Sequence, residues 1–109
     1  MRLGPTLAAV TAAGALWISG CAGGTIVPTP SQLVATGAVP RDADLAALAR
    51  GRAVFVTECA ACHRLFRPDE YTPQEWKRIV ARMAPRASLD SRQTSDLELY
   101  LSAASGWRK

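Results

Sequence analysis

The sequence feature that most constrains this chain is the pentapeptide Cys59-Ala60-Ala61-Cys62-His63. It holds two of the three cysteines and the only histidine among 109 residues. The two alanines leave room for a bulky group to approach the backbone. A chain of this length builds one small domain, and such domains usually need a cofactor or a staple to supplement their core. Whatever the pentapeptide binds is therefore expected to organise the fold.

The CxxCH pattern is typical of the covalent attachment site of a c-type haem. Cysteines three residues apart on a helical turn can reach the two vinyl groups of one porphyrin, and the adjacent His63 can then bind the iron. Two alternatives compete with this interpretation. A redox disulfide usually accompanies a βαβ pattern, which the sequence lacks, and a structural zinc site requires four ligands. We therefore predict one haem c bound covalently to Cys59 and Cys62.

The N-terminus has the pattern of an export signal. A basic start precedes an apolar stretch over residues 3–17, which is shorter than the roughly 20 residues that span a bilayer. The sequence ISGC at residues 18–21 resembles a bacterial lipobox, which implies cleavage before Cys21 and a lipid on its sulfur. The alternatives are an ordinary signal peptide or an uncleaved anchor. We predict a lipoprotein signal peptide over 1–20 and export to the periplasmic or extracytoplasmic side of a membrane, with lipid attachment at Cys21.

Composition divides the remaining chain into a linker and a domain. Glycine and proline punctuate residues 21–41 without a helical or strand period, which predicts a flexible, lipid-anchored linker. Over residues 42–109, apolar side chains recur at three- and four-residue spacing, and no strand alternation is present. We predict an all-α cytochrome c-like domain there, with about three helices wrapped around one covalent haem. The net charge of +4 is not clustered as in nucleic-acid binders, so nucleic acid is not an expected partner.

Three helices are predicted, and each follows a residue that can cap its N-terminus. The first runs from about Leu45 to Cys59, and the third starts after residue 90. The second ends near Met83, because Pro85 disfavours the helical conformation at the residue before it. The capping residues are Asp42 or Asp44, Thr72 and Asp90.

Residues from about 44 to 104 resemble the monohaem class I cytochrome c family, here in a lipoprotein form. In that family a glycine and an aromatic residue four positions on pack against a leucine and an aromatic residue three positions apart in the last helix. Gly51 with Phe55, and Leu97 with Tyr100, match this pattern. The resemblance implies that the first and last helices cross closely at Gly51.

The family's distal iron ligand is usually a methionine between CxxCH and the last helix, which the resemblance assigns to Met83. It is the only methionine that remains once residues 1–20 are removed. The alternatives are that Met83 only packs in the core, and that the sixth iron position is open or filled by Lys77. The stretch from residue 75 to 83 also resembles haem domains of bacterial dehydrogenase-associated cytochromes.

An iron bound by histidine and methionine has no free coordination position, and it accepts and donates one electron. We therefore expect a membrane-tethered electron carrier that is not itself an enzyme. Its expected partners are redox proteins, such as a dehydrogenase or oxidase complex. The alternative is that it is itself a haem subunit of a larger dehydrogenase complex. If Met83 does not bind, an open iron would instead bind a small ligand. Three arginines opposite the apolar stripe of the second helix predict a solvated face or, alternatively, a surface for an acidic partner: Arg78, Arg82 and Arg86.

Overall fold

The computed structural model describes residues 26–107 and, outside them, only the glycines at positions 4 and 14. Every regular element of the described chain is helical, so the predicted all-α class is confirmed. No helix in this part is long and apolar enough to cross a membrane. The elements are α1 (Pro30–Ala35), α2 (Leu45–Val54), a π-helical turn (Phe55–Cys59), a 3-10 turn (Pro68–Glu70), α3 (Pro73–Met83) and α4 (Ser91–Ala104).

The predicted helices begin where their capping residues indicate. The Asp44 carboxylate accepts from the Ala47 amide and starts α2, so Asp44 and not Asp42 is the cap. The α3 and α4 helices each begin with a reciprocal capping box, in which the cap side chain and the N3 side chain satisfy each other's backbone amides. The α3 helix ends at Met83, as predicted, but the predicted reason is wrong: Ala84 keeps helical dihedrals, and its amide still donates to the Val80 carbonyl oxygen.

The centre of the fold is the crossing of α2 and α4 at Gly51. A Cβ atom at this position would lie 2.6 Å from the carbonyl carbon of Asp96 and 2.8 Å from the Cβ of Tyr100, and closer still to the Asp96 carbonyl oxygen. Only glycine allows the two backbones to approach this far. The rings of Phe55 and Tyr100 then meet with their centroids 6.2 Å apart. The close crossing predicted from the sequence is confirmed.

An ion pair flanks this crossing. The Arg50 Nε atom donates to an Asp96 carboxylate oxygen over 2.8 Å, and Asp96 is a buried residue. The hydrogen bond from Arg50 lowers the pKa of the Asp96 carboxyl. The pair therefore contributes to stability at neutral pH, and that contribution is lost as the pH falls through the lowered pKa of Asp96.

The segment from residue 26 to 39, here called the N-terminal strap, packs on the helical domain. The sequence predicted a flexible linker over residues 21–41, and this prediction is wrong for the part that the structure describes. The physical reason is that the segment supplies apolar side chains to the core: Leu33 is fully buried, and Val27 is 3% exposed. The boundary at residue 42 therefore falls inside the folded unit.

Two polar contacts hold the strap on α2 and α4. The buried Tyr100 hydroxyl donates to the Pro28 carbonyl oxygen over 2.8 Å. The Arg52 guanidinium donates to the Val27 carbonyl oxygen, with the shorter contact at 3.3 Å. Burial raises the pKa of Tyr100, so its hydroxyl keeps the donated proton at neutral pH. These bonds satisfy strap carbonyls that have no strand or helix partner.

The residues that suggested a linker have specific roles inside the strap. Pro30 occupies the first position of α1, where a missing backbone amide proton costs nothing, and Thr29 caps the helix. Gly37 adopts a φ of +75°, which lets the chain turn back. The Val39 amide then donates to the Leu33 carbonyl oxygen over 3.2 Å. Proline and glycine therefore start a helix and make a turn here.

We predict that Gly51→Ala lowers the free energy of unfolding by at least about 1–3 kcal/mol, because the added methyl group overlaps backbone atoms of Asp96 rather than a mobile side chain. Gly106→Ala is the matched control, since an added Cβ there approaches only the Ala103 carbonyl oxygen at 4.0 Å. Chemical denaturation of both variants measures the effect. Equal midpoints for Gly51→Ala and the wild type would contradict the tight crossing.

Candidate functional site

A cavity of about 640 Å³ lies between the π-helical turn with the loop that follows it, the α3 helix and the α4 helix. Its volume falls within the range of roughly 300–1,000 Å³ that is usual for cofactor and ligand sites. Most of its lining side chains are apolar or aromatic. Besides Met83 and two alanines, they are Phe55, Phe66, Tyr71, Trp76, Ile79, Val80, Leu89, Leu97 and Leu101.

The four side chains predicted to hold a haem and its iron all line this cavity. Cys59 is partly buried at the end of the π-helical turn, and Cys62 and His63 are exposed in the turn that follows. Met83 reaches the cavity from the last residue of α3 and is partly buried. Lys77, the alternative ligand, is exposed and does not line the cavity.

The two cysteines are free thiols in different environments. Burial raises the pKa of the Cys59 thiol, and the nearby negative charge of Glu58 adds to the effect. Cys59 is therefore held in its neutral thiol form near neutral pH. Within residues 26–107, no three His, Cys, Asp or Glu side chains are grouped closely enough to hold a metal ion. The pentapeptide by itself thus offers no complete site for zinc, which requires four ligands.

The π-helical turn just before the motif is a feature that the sequence analysis missed. The predicted helix over 45–59 is present, but its last five residues, Phe55–Cys59, widen to π-helical geometry. The Thr57 hydroxyl donates to the Ala53 carbonyl oxygen over 2.6 Å on this stretch. Short π-helical segments inside α-helices occur frequently at functional sites. Here the segment determines where Cys59 meets the cavity, and no residue pattern signals it.

Trp76 forms the central part of the cavity wall and is fixed by one buried hydrogen bond. Its indole Nε1 donates to the Pro68 carbonyl oxygen over 2.6 Å, which ties α3 to the 3-10 turn. The ring also makes edge-on contacts with Phe55 at 5.8 Å and with Tyr71 at 5.0 Å between centroids. Trp76 is thus held in place as part of the cavity wall.

Ion pairs hold the loop that follows His63, which the sequence analysis also missed. The Arg64 guanidinium donates to both carboxylate oxygens of Glu70, over 3.1 and 2.9 Å, and lies 4.3 Å from the centroid of the Phe66 ring. Arg67 donates in the same two-pronged way to Asp69, over 2.9 and 2.7 Å. Paired N–H donors match a carboxylate geometrically, so each pair restricts the loop. The alternation of arginines and acids from 64 to 70 is the only sequence signal for it.

Arg78, Arg82 and Arg86, the three arginines predicted opposite the apolar stripe of the second helix, lie at different positions relative to the cavity. All three are exposed, and Arg82 and Arg86 also line the large cavity. Arg78 does not, and it borders a smaller depression of about 500 Å³ together with Arg82. Among the described residues none of the three forms an ion pair. Arg82 and Arg86 thus place two positive charges at the cavity, where they can pair with an anionic group of a ligand. The sequence predicted either a solvated face or a surface for an acidic partner, and neither interpretation included a position at the cavity.

Comparison of the chain with models of protein families, with curated proteins and with solved structures found no match.

We predict that the pKa of Glu70 lies below its ordinary value of 4.5, chiefly because Arg64 donates to its carboxylate and next because the Arg67 amide does. The stabilisation of the loop is then complete above that ordinary value and is lost as the pH falls through the lowered pKa. An NMR titration measures it, and Arg64→Gln should return the pKa towards 4.5. Arg86→Gln, which removes an exposed arginine with no ion pair, is the control. An ordinary pKa in the wild type would show that the pair does not form in solution.

Proposed function

We propose that this protein is a one-electron carrier with a single c-type haem bound covalently to Cys59 and Cys62. A lipid on Cys21, which lies outside the described residues, would anchor it to a membrane on the periplasmic or extracytoplasmic side. The observation that supports the proposal most strongly is that Cys59, Cys62, His63 and Met83 line one large apolar cavity.

The size and chemistry of this cavity favour a large apolar occupant. Protein interiors are packed to crystal-like density, and voids lined by apolar side chains cost stability in proportion to their volume. The described part of the chain is a small domain, so an open apolar cavity of about 640 Å³ is a substantial loss of core contacts. A planar porphyrin held by thioethers would replace those contacts and could not dissociate.

Each group at the cavity has a role in this proposal. Cys59 and Cys62 would hold the haem by thioether bonds, and His63 and Met83 would bind its iron. When bound, the haem supplies a one-electron couple whose potential histidine and methionine ligation raises. Trp76 and the other aromatic side chains of the wall would keep water from the iron.

The two arginines at the cavity could bind the negatively charged groups of such a ligand. A haem carries two carboxylates, and Arg82 and Arg86 are exposed cations on the cavity lining without an ion pair among the described residues. Charge-assisted bonds from a guanidinium to a carboxylate are among the stronger polar contacts in proteins. These arginines would therefore orient the haem with its carboxylates towards solvent.

The proposed carrier is not an enzyme by itself. Coordination by both His63 and Met83 leaves the iron no free position for a substrate, and the expected partners are redox proteins such as a dehydrogenase or oxidase complex. A domain that exchanges electrons needs only a haem edge within reach of its partner, and a small domain suffices for that.

We predict that protein made in a host with c-type maturation retains its haem after denaturation, because thioether bonds survive unfolding. Intact mass and haem staining after denaturing electrophoresis measure this. Replacing both cysteines, as in Cys59→Ala with Cys62→Ala, should abolish the retained haem, whereas Lys77→Ala on the exposed side of α3 should not. Haem that is extracted by acidified acetone from the wild type would refute covalent attachment.

We predict that Met83→Ala abolishes the weak charge-transfer band between thioether and ferric iron, lowers the reduction potential and lets the reduced iron bind CO. The physical reason is that Met83 is the methionine at the cavity, and its removal would open the sixth position. Absorption spectra, redox titration and CO binding measure the three effects, with Lys77→Ala as the control. A wild type that already binds CO rapidly and lacks the band would favour the alternative of an open haem that binds small ligands.

A further inference from the structure

We infer that the anchored protein lies directly on the bilayer, with the surface around Ile26 against the lipid headgroups and the candidate haem cavity on another part of its surface. This inference rests on the proposed lipidation of Cys21. A long flexible tether would let the domain move away from the bilayer. Here the strap is part of the folded domain, so the connection between the lipid and the domain is short.

The first step is that the folded unit extends to the beginning of the strap. Val27 is 3% exposed, and its carbonyl oxygen accepts from Arg52. The next residue, Pro28, is among the fully buried ones, and its carbonyl oxygen accepts from Tyr100 inside the core. Two consecutive carbonyls are thus bonded to α2 and to α4, so the chain is attached to the domain from Val27 onward.

The second step is the length of chain between the lipid and that attachment. Four residues separate Cys21 from Ile26, so the two residues are joined by five peptide units. A fully extended chain of this length spans at most about 18 Å. A folded chain the size of residues 26–107 has a radius of gyration of about 12 Å. The connection is therefore shorter than the width of the domain, and the domain cannot turn its far side to the membrane.

The third step is the chemistry of the surface at the anchor. Ile26 is one of the large apolar side chains that remain substantially exposed, at 42%. The Arg52 guanidinium lies on the neighbouring Val27 carbonyl and places a positive charge beside it. An apolar side chain next to a cation suits the boundary between acyl chains and phosphate headgroups. The bilayer surface is thus the occupant that both the chain length and the charge indicate.

The position of the cavity gives this orientation a functional consequence. No residue of the strap lines the cavity, whose lining begins at Phe55 in the sequence. The anchored surface and the candidate haem site are therefore formed by different residues. The electron partner would be a membrane-bound redox protein whose cofactor lies close to the bilayer surface, since the domain cannot extend far from it.

Neutron reflectometry of the mature, lipidated protein on a supported phospholipid bilayer tests the inference. The wild type is compared with a variant that carries sixteen Gly and Ser residues inserted between Gly24 and Thr25. A control carries the same sixteen residues after Lys109, where they add mass without lengthening the anchor. We expect protein density in contact with the headgroups for the wild type and the control. The insertion should let that density extend outward from the headgroups by up to about 20 Å, the r.m.s. span of sixteen flexible residues.

Two other results of this experiment would each contradict a specific claim. A hydrated gap of similar width beneath the wild type and the insertion variant would overturn the inference while leaving the lipid anchor intact. An N-terminal peptide without lipid mass, together with no binding to the bilayer, would overturn both the proposed anchor and this inference. Covalent haem is measured separately by denaturing electrophoresis, so the electron-carrier proposal fails or stands independently of the reflectometry.

Discussion

The backbone contact between α2 and α4 at Gly51 joins the two helices to which the strap is attached. With the helices this close, Phe55, which directly follows α2, and Leu97 on α4 line the same cavity. A larger residue at position 51 would separate the helices and change the width of that cavity. The cavity therefore depends on a contact among residues that carry no chemistry themselves.

The Gly51 crossing also provides the surface on which the strap lies. Tyr100 contributes its Cβ to the crossing and its hydroxyl to the Pro28 carbonyl, so a single side chain belongs to both contacts. Phe55 likewise connects the crossing to the cavity wall, since its ring contacts Tyr100 at the crossing and Trp76 in the wall. The strap, the crossing and the cavity wall are thus one connected set of aromatic contacts, and small domains rely on such sharing because they have few large side chains.

The features that could be predicted from the sequence are those with local causes. A capping box is complete within four residues, so Thr72 and Asp90 locate the starts of α3 and α4 without tertiary information. The resemblance of Gly51 and Tyr100 to a known helix pair added one long-range contact. The sequence analysis assigned Cys59, Cys62, His63 and Met83 to one site, and all four line one cavity. Haem binding itself stays a prediction.

The features that were missed depend on distant partners. The strap was interpreted as a linker because its prolines and glycines match loop composition, but its stability comes from Tyr100, 72 residues away in the sequence from Pro28. The π-helical turn arises within Phe55–Cys59 and has no residue signature. The position of Arg82 and Arg86 on the cavity lining was also hidden, because periodicity places them opposite the apolar stripe without showing that the chain after α3 folds back along the cavity.

The strap and the cavity together suggest why so small a domain can serve two attachments. A lipid anchor and a covalent cofactor would each hold one part of the chain in place. Each therefore needs a rigid part of the fold as its point of attachment. A lipid anchor would act on the strap, which Tyr100 and Arg52 hold on the domain, whereas a cofactor would act on the motif that begins at the end of the π-helical turn. Both would act on α2, which carries Arg52 near its end and continues through the π-helical turn to Cys59. A rigid α2, joined to α4 at Gly51, would therefore keep the cofactor at a constant distance from the membrane.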